Sequence, residues 1–181
     1  MNQGLILVDV QNDYFSGGNM ELVGMEQAAS RAQGLLRQFR DKRQSIFHVR
    51  HISNRLGATF FLPGTKGAEI HEAVAPLPEE PVVEKHFPNS FRETSLLDRL
   101  RDSVVEEIVI CGAMSHMCID ATTRAAFDLG FRCTVIEDAC ATRDLKHRGE
   151  TIKAVDVHAA FMAALATPYA TVVPFSEFAS V

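Results

Sequence analysis

The chain has 181 residues, about the length of one domain and enough to bury a substantial core, so we expect a single domain over residues 1–181. Hydrophobic residues make up 46% of the chain and charged residues 23%, which excludes a disordered or fibrous protein. The net charge of −5, with Lys and Arg scattered along the chain, predicts that nucleic acid is not a partner.

Apolar segments and cysteines indicate where the protein works. No apolar stretch approaches the roughly 20 residues of a membrane span, and no basic segment precedes the apolar run near the N-terminus. We therefore expect a cytoplasmic protein with no membrane partner. The four cysteines lack a C-x-x-C spacing, which argues against a zinc site or a disulfide framework and predicts reduced thiols.

Six short runs rich in Val and Ile are predicted to be strands buried on both faces. In chain order they cover residues 5–8, 45–49, 81–84, 107–111, 132–136 and 170–173. Between the first two runs, apolar residues at helical spacing share a face: Ala28, Ala32, Leu35, Leu36 and Phe39. A second such set precedes the last run: Ile152, Val155, Ala159, Met162 and Ala163. A shorter helix is predicted to begin at Thr94, whose hydroxyl can cap it.

Strands that alternate with helices predict the fold class. Parallel neighbours need a crossover connection, and helices supply it. We expect a three-layer α/β domain whose six-stranded, mostly parallel sheet has helices on both faces. The connection over residues 50–78 is long and rich in Gly and Pro, so it is predicted to fold over a binding site and to contain one short helix over residues 68–73.

Reactive side chains stand at the ends of three predicted strands. Asp9 ends the first, Lys85 ends the third, and Cys118 lies where the fourth passes into the next helix. Ligands of open α/β sheets bind outside the carboxyl ends of the strands, so an acid, an amine and a thiol are predicted to meet at the binding edge. Taken singly, Asp9 could cap a turn, Lys85 could be solvated and Cys118 could fill core. Their convergence favours chemistry.

The predicted surroundings of Cys118 would make it a nucleophile. A nearby ammonium and a helix N-terminus both favour the thiolate. We expect them to lower the pKa of Cys118 by roughly two units from about 8.5, so that the thiol is mostly ionised near pH 7. Asp9 would accept and return a proton, and Lys85 would hold both charges in register.

Four segments carry a resemblance to a known family: DVQNDYF at 9–15, EKHFPNSF at 84–91, CGAMSHMCIDATTRAAFDLGF at 111–131 and VIEDACATRD at 135–144. Through them the whole chain resembles the isochorismatase-like cysteine hydrolases, which include nicotinamidases, carbamoylsarcosine amidases and ureidoacrylate amidases. The resemblance implies a Rossmann-like fold with a six-stranded parallel sheet. It also implies an Asp-Lys-Cys catalytic triad formed by Asp9, Lys85 and Cys118.

The same resemblance implies a backbone site for a negatively charged oxygen. The family has a non-proline cis peptide before the cysteine, which here falls between Ala113 and Met114. Its implied role is to aim the N–H of Met114 at the same point as the N–H of Cys118. Two such donors form an oxyanion hole, which stabilises a tetrahedral intermediate.

A metal site is not expected. Nicotinamidases of the family hold a metal ion with an Asp-x-His pair and another His, whereas this chain reads FHVRHISNRLG at 47–57 and lacks the acid. His48 and His51 are three residues apart, so on a strand they would point to opposite faces. His71 could in principle join one of them. We therefore predict no bound metal, which also weakens a nicotinamidase role.

Four further residues are candidates for substrate contact: Phe15, His86, Asn89 and His116. His86 directly follows Lys85 and His116 lies two residues before Cys118, although a hydrogen bond to a loop would explain either one. Aromatic residues near the strand ends are candidates for apolar pocket walls or for plain core: Phe60, Phe61, Phe87 and Phe91.

These assignments predict an enzyme that hydrolyses a C–N bond of a small amide or ureido compound. Cys118 would attack the carbonyl, Asp9 would protonate the departing amine, and water would release the acid from a thioester, with no cofactor required. One alternative is vinyl ether hydrolysis of the isochorismatase type, which some relatives perform without a nucleophilic cysteine. Another is an inert binding or scaffold protein on the same fold. The resemblance further implies a homodimer or homotetramer.

Overall fold

The fold is organised by a sheet of six parallel strands, seen in a computed structural model that describes residues 2–179. The strands of the chain are β1 (Gln3–Val8), β2 (Ser45–His51), β3 (Val82–Lys85), β4 (Glu107–Ala113), β5 (Arg132–Ala141), β6 (Leu145–His147), β7 (Glu150–Ile152) and β8 (Thr171–Val173). The sheet has the order β3-β2-β1-β4-β5-β8, while β6 and β7 form a separate antiparallel hairpin. The chain winds away from β1 in both directions, so a crevice opens at the carboxyl ends of β1 and β4.

Helices cover both faces of the sheet. They are α1 (Met25–Asp41), α2 (Leu96–Asp102), α3 (Asp120–Asp128), α4 (Ala154–Leu165) and α5 (Phe175–Phe178). Alternate residues of β1 enter two separate cores: Leu5 and Leu7 lie in the core under α1, and Ile6 and Val8 lie in the core with residues of α2, α3 and α4. The predicted three-layer α/β architecture with a parallel sheet is therefore confirmed.

Several strands run further toward the binding edge than predicted. β2 continues to His51, which pairs with Lys85 of β3, and β4 continues to Ala113, which pairs with Ala141 of β5. The last residues of both strands are polar or small and not Val or Ile. A search for Val- and Ile-rich runs therefore predicts strands that are too short. The shorter helix also differs slightly, since α2 begins at Leu96 and the Thr94 hydroxyl accepts a hydrogen bond from the Leu96 N–H at 3.3 Å.

Of the residues predicted to form the inner face of α4, only Met162 is buried in it. Ile152 belongs to β7, and the residues that α4 buries are Ala154, Val157, Met162 and Leu165. Val155, predicted to be on the inner face, is 72% exposed. The prediction was wrong because nearly every side chain of α4 is apolar, so hydrophobic periodicity does not distinguish its inner face from its outer face.

Gly112 allows two strands to approach closely beside the crevice. Its φ is +124°, and a Cβ at this position would overlap the Val8 backbone carbonyl. The register between β4 and β5 shifts between Ile110 and Gly112. Glycine is required here because any side chain would push β4 away from β1 at the point where the next turn begins.

The connection between β2 and β3 folds back over the carboxyl edge of the sheet. In place of the predicted single helix it contains two short 3₁₀ turns, Lys66–Ala68 and Glu72–Val74. Ile70 pairs with Gln11 in an isolated bridge, and Phe61 is 1% exposed. This connection is therefore part of the folded body. Within residues 2–179 there is no helix both long and apolar enough to cross a membrane.

Candidate active site

Three elements bring Asp9, Lys85 and Cys118 to the carboxyl edge. Asp9 directly follows β1 in a left-handed conformation with φ of +53°, and Lys85 is the last residue of β3. Cys118 lies in a wide helical turn, the π-helix Ser115–Ile119, between β4 and α3. All three residues are buried, with exposures of 0%, 1% and 4%. The convergence expected from the strand ends is present in the structure.

The Lys85 ammonium is the centre of the cluster. Its Nζ lies 2.7 Å from Asp9 Oδ2 and 3.2 Å from Cys118 Sγ. It also lies 3.0 Å from His51 Nδ1 and 3.1 Å from the Phe87 carbonyl oxygen. An ammonium has three N–H groups, so four neighbours share three donors. Asp9 Oδ1, the other carboxylate oxygen, is buried and accepts no hydrogen bond from residues 2–179.

Burial sets the charge states of these groups. Burial alone would lower the pKa of Lys85, but the neighbouring Asp9 and Cys118 outweigh it and raise that pKa. Burial also lowers the pKa of His51 to about 4, so the ring is neutral near pH 7. A neutral ring beside an ammonium accepts through Nδ1, which places the His51 proton on Nε2.

The prediction that Cys118 is mostly ionised is wrong, because its pKa is raised and not lowered. Burial and the charge of Asp9 raise its pKa, and Lys85 opposes this shift only in part. Cys118 also lies inside the turn Ser115–Ile119 and not at the first position of α3, which begins at Asp120. The site therefore holds a thiol next to an ion pair.

The backbone before Cys118 has a distinctive geometry. The peptide bond between Ala113 and Met114 is cis. Met114 accepts hydrogen bonds through its carbonyl oxygen from the N–H groups of Met117 and Ile119, at 3.0 and 3.2 Å. Met114 and Cys118 both line the same cavity.

A cavity of about 260 Å³ leads to the sulfur. Its lining consists of Tyr14, His51, Ser53, Asn54, Arg55, Phe60, His86, Phe87, Pro88, Met114, Met117 and Cys118. A shallower depression of about 430 Å³ around Arg40 and Glu80 lies at the opposite edge of the sheet, where β2 begins. The smaller cavity is the candidate active site because it lies at the carboxyl ends of the strands and contains the thiol.

Of the four predicted substrate contacts, only His86 lines this cavity. Phe15 points away and stacks on His71, with ring centroids 3.6 Å apart. Asn89 accepts a hydrogen bond from the Phe91 N–H at 2.9 Å, and His116 lies 2.6 Å from the Thr142 hydroxyl. Local packing and loop hydrogen bonds therefore occupy these three side chains.

Other lining residues were missed or only partly anticipated. Phe60 and Phe87, two of the aromatic candidates, do form walls, whereas Phe61 and Phe91 do not. The remaining members carried no separate signal in the sequence: Tyr14, Ser53, Asn54, Arg55, Pro88 and Met117. Tyr14 differs from the others because it belongs to the segment DVQNDYF, where it directly precedes Phe15, the residue that was predicted to contact substrate.

The histidines considered as metal ligands do not meet. His48 Nε2 lies 2.9 Å from Glu80, and His71 Nδ1 accepts from the Ala73 N–H at 3.2 Å. The ligand atoms of Asp9, His51 and Cys118 do lie within 4.8 Å of one another. Because the Lys85 ammonium contacts all three, a metal ion here would have to displace it.

Known proteins are similar to this chain in sequence and in fold. Residues 3–173 match the family described as the isochorismatase domain. The isochorismatase family protein YddQ of Bacillus subtilis strain 168, itself uncharacterized, is 51% identical over 172 residues, which is 95% of this chain and 96% of that protein. A crystal structure from Oleispira antarctica, assigned to the isochorismatase hydrolases, is 50% identical with a TM-score of 0.96, covering 99% and 97% of the two chains. The nicotinamidase of Escherichia coli strain K12 is 28% identical over 197 residues, covering 88% and 89%.

Proposed function

The protein belongs to the isochorismatase family of hydrolases, and we propose that it cleaves the C–N bond of a small amide or ureido compound with Cys118 as nucleophile. The observation that carries the proposal is the Lys85 ammonium, which bridges the Asp9 carboxylate and the sulfur of Cys118, a residue that lines the cavity. A relative that is a nicotinamidase, and hence acts on an amide, supports the same reaction class.

The first step joins Cys118 to the substrate. As Sγ attacks the carbonyl carbon, its proton passes to Asp9, whose unpartnered Oδ1 is available to accept it. A C–S bond forms, the C–N bond breaks, and Asp9 returns the proton to the departing nitrogen. Lys85 keeps its charge throughout, since it stabilises the carboxylate and the developing thiolate together.

The second step releases the acid. Water attacks the thioester carbon while Asp9 takes a proton from that water. The C–S bond then breaks, and Asp9 returns the proton to the sulfur. We propose the backbone N–H groups of Met114 and Cys118 as donors to the oxyanion in both steps. Each donor of this kind contributes about 2.7 to 4 kcal/mol to the stability of the transition state.

The decisive experiment is a screen of small amides and ureido acids for release of ammonia or acid. Wild type should turn over at least one compound, Cys118→Ser should not, and the matched control Cys133→Ser should retain activity because that buried thiol lies outside the cavity. Mass spectrometry should find an acyl group on Cys118. Turnover that persists in Cys118→Ser would contradict the proposal, as would turnover of vinyl ethers alone.

We also propose a homodimer or homotetramer assembled through α4. The helix carries only two polar side chains, Asp156 and His158, and its outer face includes Val155, Ala159 and Ala163, all exposed. A helix that is apolar on all sides is typical of one buried on all sides. A second copy of the chain would supply the missing cover.

A reducing compartment suits the cysteines. All four are free thiols and buried. Free buried cysteines are typical of proteins kept in a reducing environment, where disulfides do not persist. On this basis we propose that the protein works in the cytoplasm.

A further inference from the structure

Tyr14 carries a polar group that the proposed reaction does not use. Its ring packs against Phe60 and Phe61, with centroids 6.1 and 4.6 Å away, and the residue is 1% exposed. It nevertheless lines the cavity. None of residues 2–179 accepts a hydrogen bond from its hydroxyl. The hydroxyl oxygen is not among the buried polar atoms that lack a partner, so it is open to the cavity and available to a ligand that enters.

Tyr14 lies near the reacting groups, and its hydroxyl stays protonated. Burial, with the neighbouring Cys118 and Asp9, raises the pKa of Tyr14 well above its ordinary value. At neutral pH the group is therefore a neutral O–H, which suits it to donate a hydrogen bond to an acceptor on the ligand. The ring is held by two aromatic neighbours, so the direction of this donor is preset.

The cavity lining contains a positive side chain and no negative one. Among the lining residues there is no Asp or Glu, and the nearby Asp9 is already paired with Lys85. Arg55 lines the cavity and forms no ion pair with an acid of residues 2–179. Arg143 is close enough for its charge to act on both Tyr14 and His116. A ligand with a negative charge would be attracted to such a site.

Resting on the C–N hydrolysis proposed above, we infer that the substrates are compact amides that carry a second, anionic group such as a carboxylate, bound by the Tyr14 hydroxyl and the Arg55 guanidinium. At about 260 Å³ the cavity is smaller than the roughly 300 Å³ at which drug-sized ligand sites begin, so one molecule would contact both the sulfur and the donors. Tyr14 and Arg55 are specificity-determining residues in this scheme, and neither takes part in the covalent steps.

Two alkylating reagents of nearly equal shape test the inference without knowledge of the natural substrate. N-(iodoacetyl)glycine carries a carboxylate where N-isobutyl iodoacetamide carries two methyl groups, and both alkylate a thiol. Rate constants for modification of Cys118 are measured by peptide mass spectrometry near pH 8.5, the pKa of a free thiol. The quantity of interest is the ratio of the acidic to the neutral reagent, which cancels any change in the reactivity of the sulfur itself.

In wild type this ratio should exceed that of glutathione by about tenfold, the effect of one charge-assisted hydrogen bond. Tyr14→Phe, which removes a single oxygen atom, and Arg55→Ala should each lower the ratio by about tenfold. The matched controls Tyr169→Phe and Arg37→Ala, both away from the cavity, should leave it unchanged.

A wild-type ratio no greater than that of glutathione, or a ratio that neither cavity variant changes, would overturn the inference. Thermal unfolding of each variant identifies any change that comes from loss of fold. A different result would show that the proposed reaction itself is wrong: ammonia release would persist in Cys118→Ser. That result does not depend on the alkylation ratio, so the two failures can be told apart.

Discussion

Lys85 and Asp9 form a fully buried ion pair, with Nζ 2.7 Å from Oδ2 and both side chains 0% exposed. A buried charge that loses its partner costs about 3 to 5 kcal/mol. Lys85→Met should therefore destabilise the protein by an amount in that range and abolish hydrolysis. Urea unfolding and ammonia release measure the two effects.

The double variant Asp9→Asn/Lys85→Met separates these effects. It removes both charges, so it should recover most of the lost stability while hydrolysis stays absent. If the double variant recovered hydrolysis as well, the pair would have a structural role only.

Removing the charge of Asp9 should make Cys118 easier to alkylate. Because that charge helps to raise the pKa of the thiol, Asp9→Asn should lower the pKa and increase the rate with iodoacetamide at a given pH, even though hydrolysis is lost. Rates measured from about pH 6 to 10 give the shift. Asp156→Asn, an exposed acid on α4, is the control. A profile displaced to higher pH in Asp9→Asn would contradict the assignment.

Asp13 holds the connection that forms one wall of the cavity. The residue is 1% exposed, and its carboxylate accepts from the Phe61 N–H at 2.6 Å and from the N–H and side-chain amide of Asn19 at 3.1 and 2.9 Å. Asp13→Asn replaces one carboxylate oxygen, an acceptor, with an NH₂ group that faces other donors. The free energy of unfolding should fall by about 1 to 3 kcal/mol. Because Phe60 lines the cavity beside Phe61, kcat/KM should fall about tenfold.

A second substitution reaches the same contact from the other side. A Cβ at Gly67 would overlap the Asp13 carboxylate, so Gly67→Ala should displace it and lower kcat/KM in the same way. Asp98→Asn, on the exposed surface of α2, should have no effect. Unchanged kinetics in both Asp13→Asn and Gly67→Ala would show that the wall does not depend on this contact.

Glu80 should make the fold sensitive to acid. Burial alone would raise its pKa, but hydrogen bonds from Arg40, the Leu77 N–H and His48 lower it to about 2. A carboxylate whose folded pKa lies below its unfolded value of 4.5 stabilises the fold above that pH, and the contribution disappears as pH falls toward 2. The side chain is 7% exposed, and the loss amounts to about 3 kcal/mol.

Urea unfolding at neutral and acidic pH measures this contribution. Glu80→Gln should be less stable than wild type near pH 7 and should lose less stability on acidification. Glu84→Gln, which breaks a pair 46% exposed at the carboxylate, should change stability by less than about 1 kcal/mol. Equal acid sensitivity in wild type and Glu80→Gln would refute the assignment.

The outer face of α4 should control assembly. Val155→Asp places a charge on a side chain that is 72% exposed in the single chain, so the fold should be kept while association is lost. Val104→Asp, at 70% exposure outside α4, should leave assembly intact. Analytical ultracentrifugation gives the molar mass in each case, and a monomeric wild type would disprove the proposed interface.

Much of the architecture could be inferred from the chain alone. Runs of Val and Ile between helical patterns predicted the parallel sheet, because parallel strands need crossovers and bury both faces. The meeting of Asp9, Lys85 and Cys118 was also predictable, since carboxyl ends of parallel strands share an edge. Helix α4 was mispredicted because its composition is apolar on both faces.

The sequence by itself determined which reactive groups the sheet edge would hold, because strand order and direction follow from local patterns. Only the tertiary structure decided that Tyr14 and not Phe15 faces the cavity, and that Arg55 borders it, since those positions depend on how the connection after β2 folds back. The protonation state of Cys118 was likewise a tertiary outcome. Its pKa reflects desolvation and the charges of residues 33 and 109 positions away in the chain, and neither effect exists until those segments pack together.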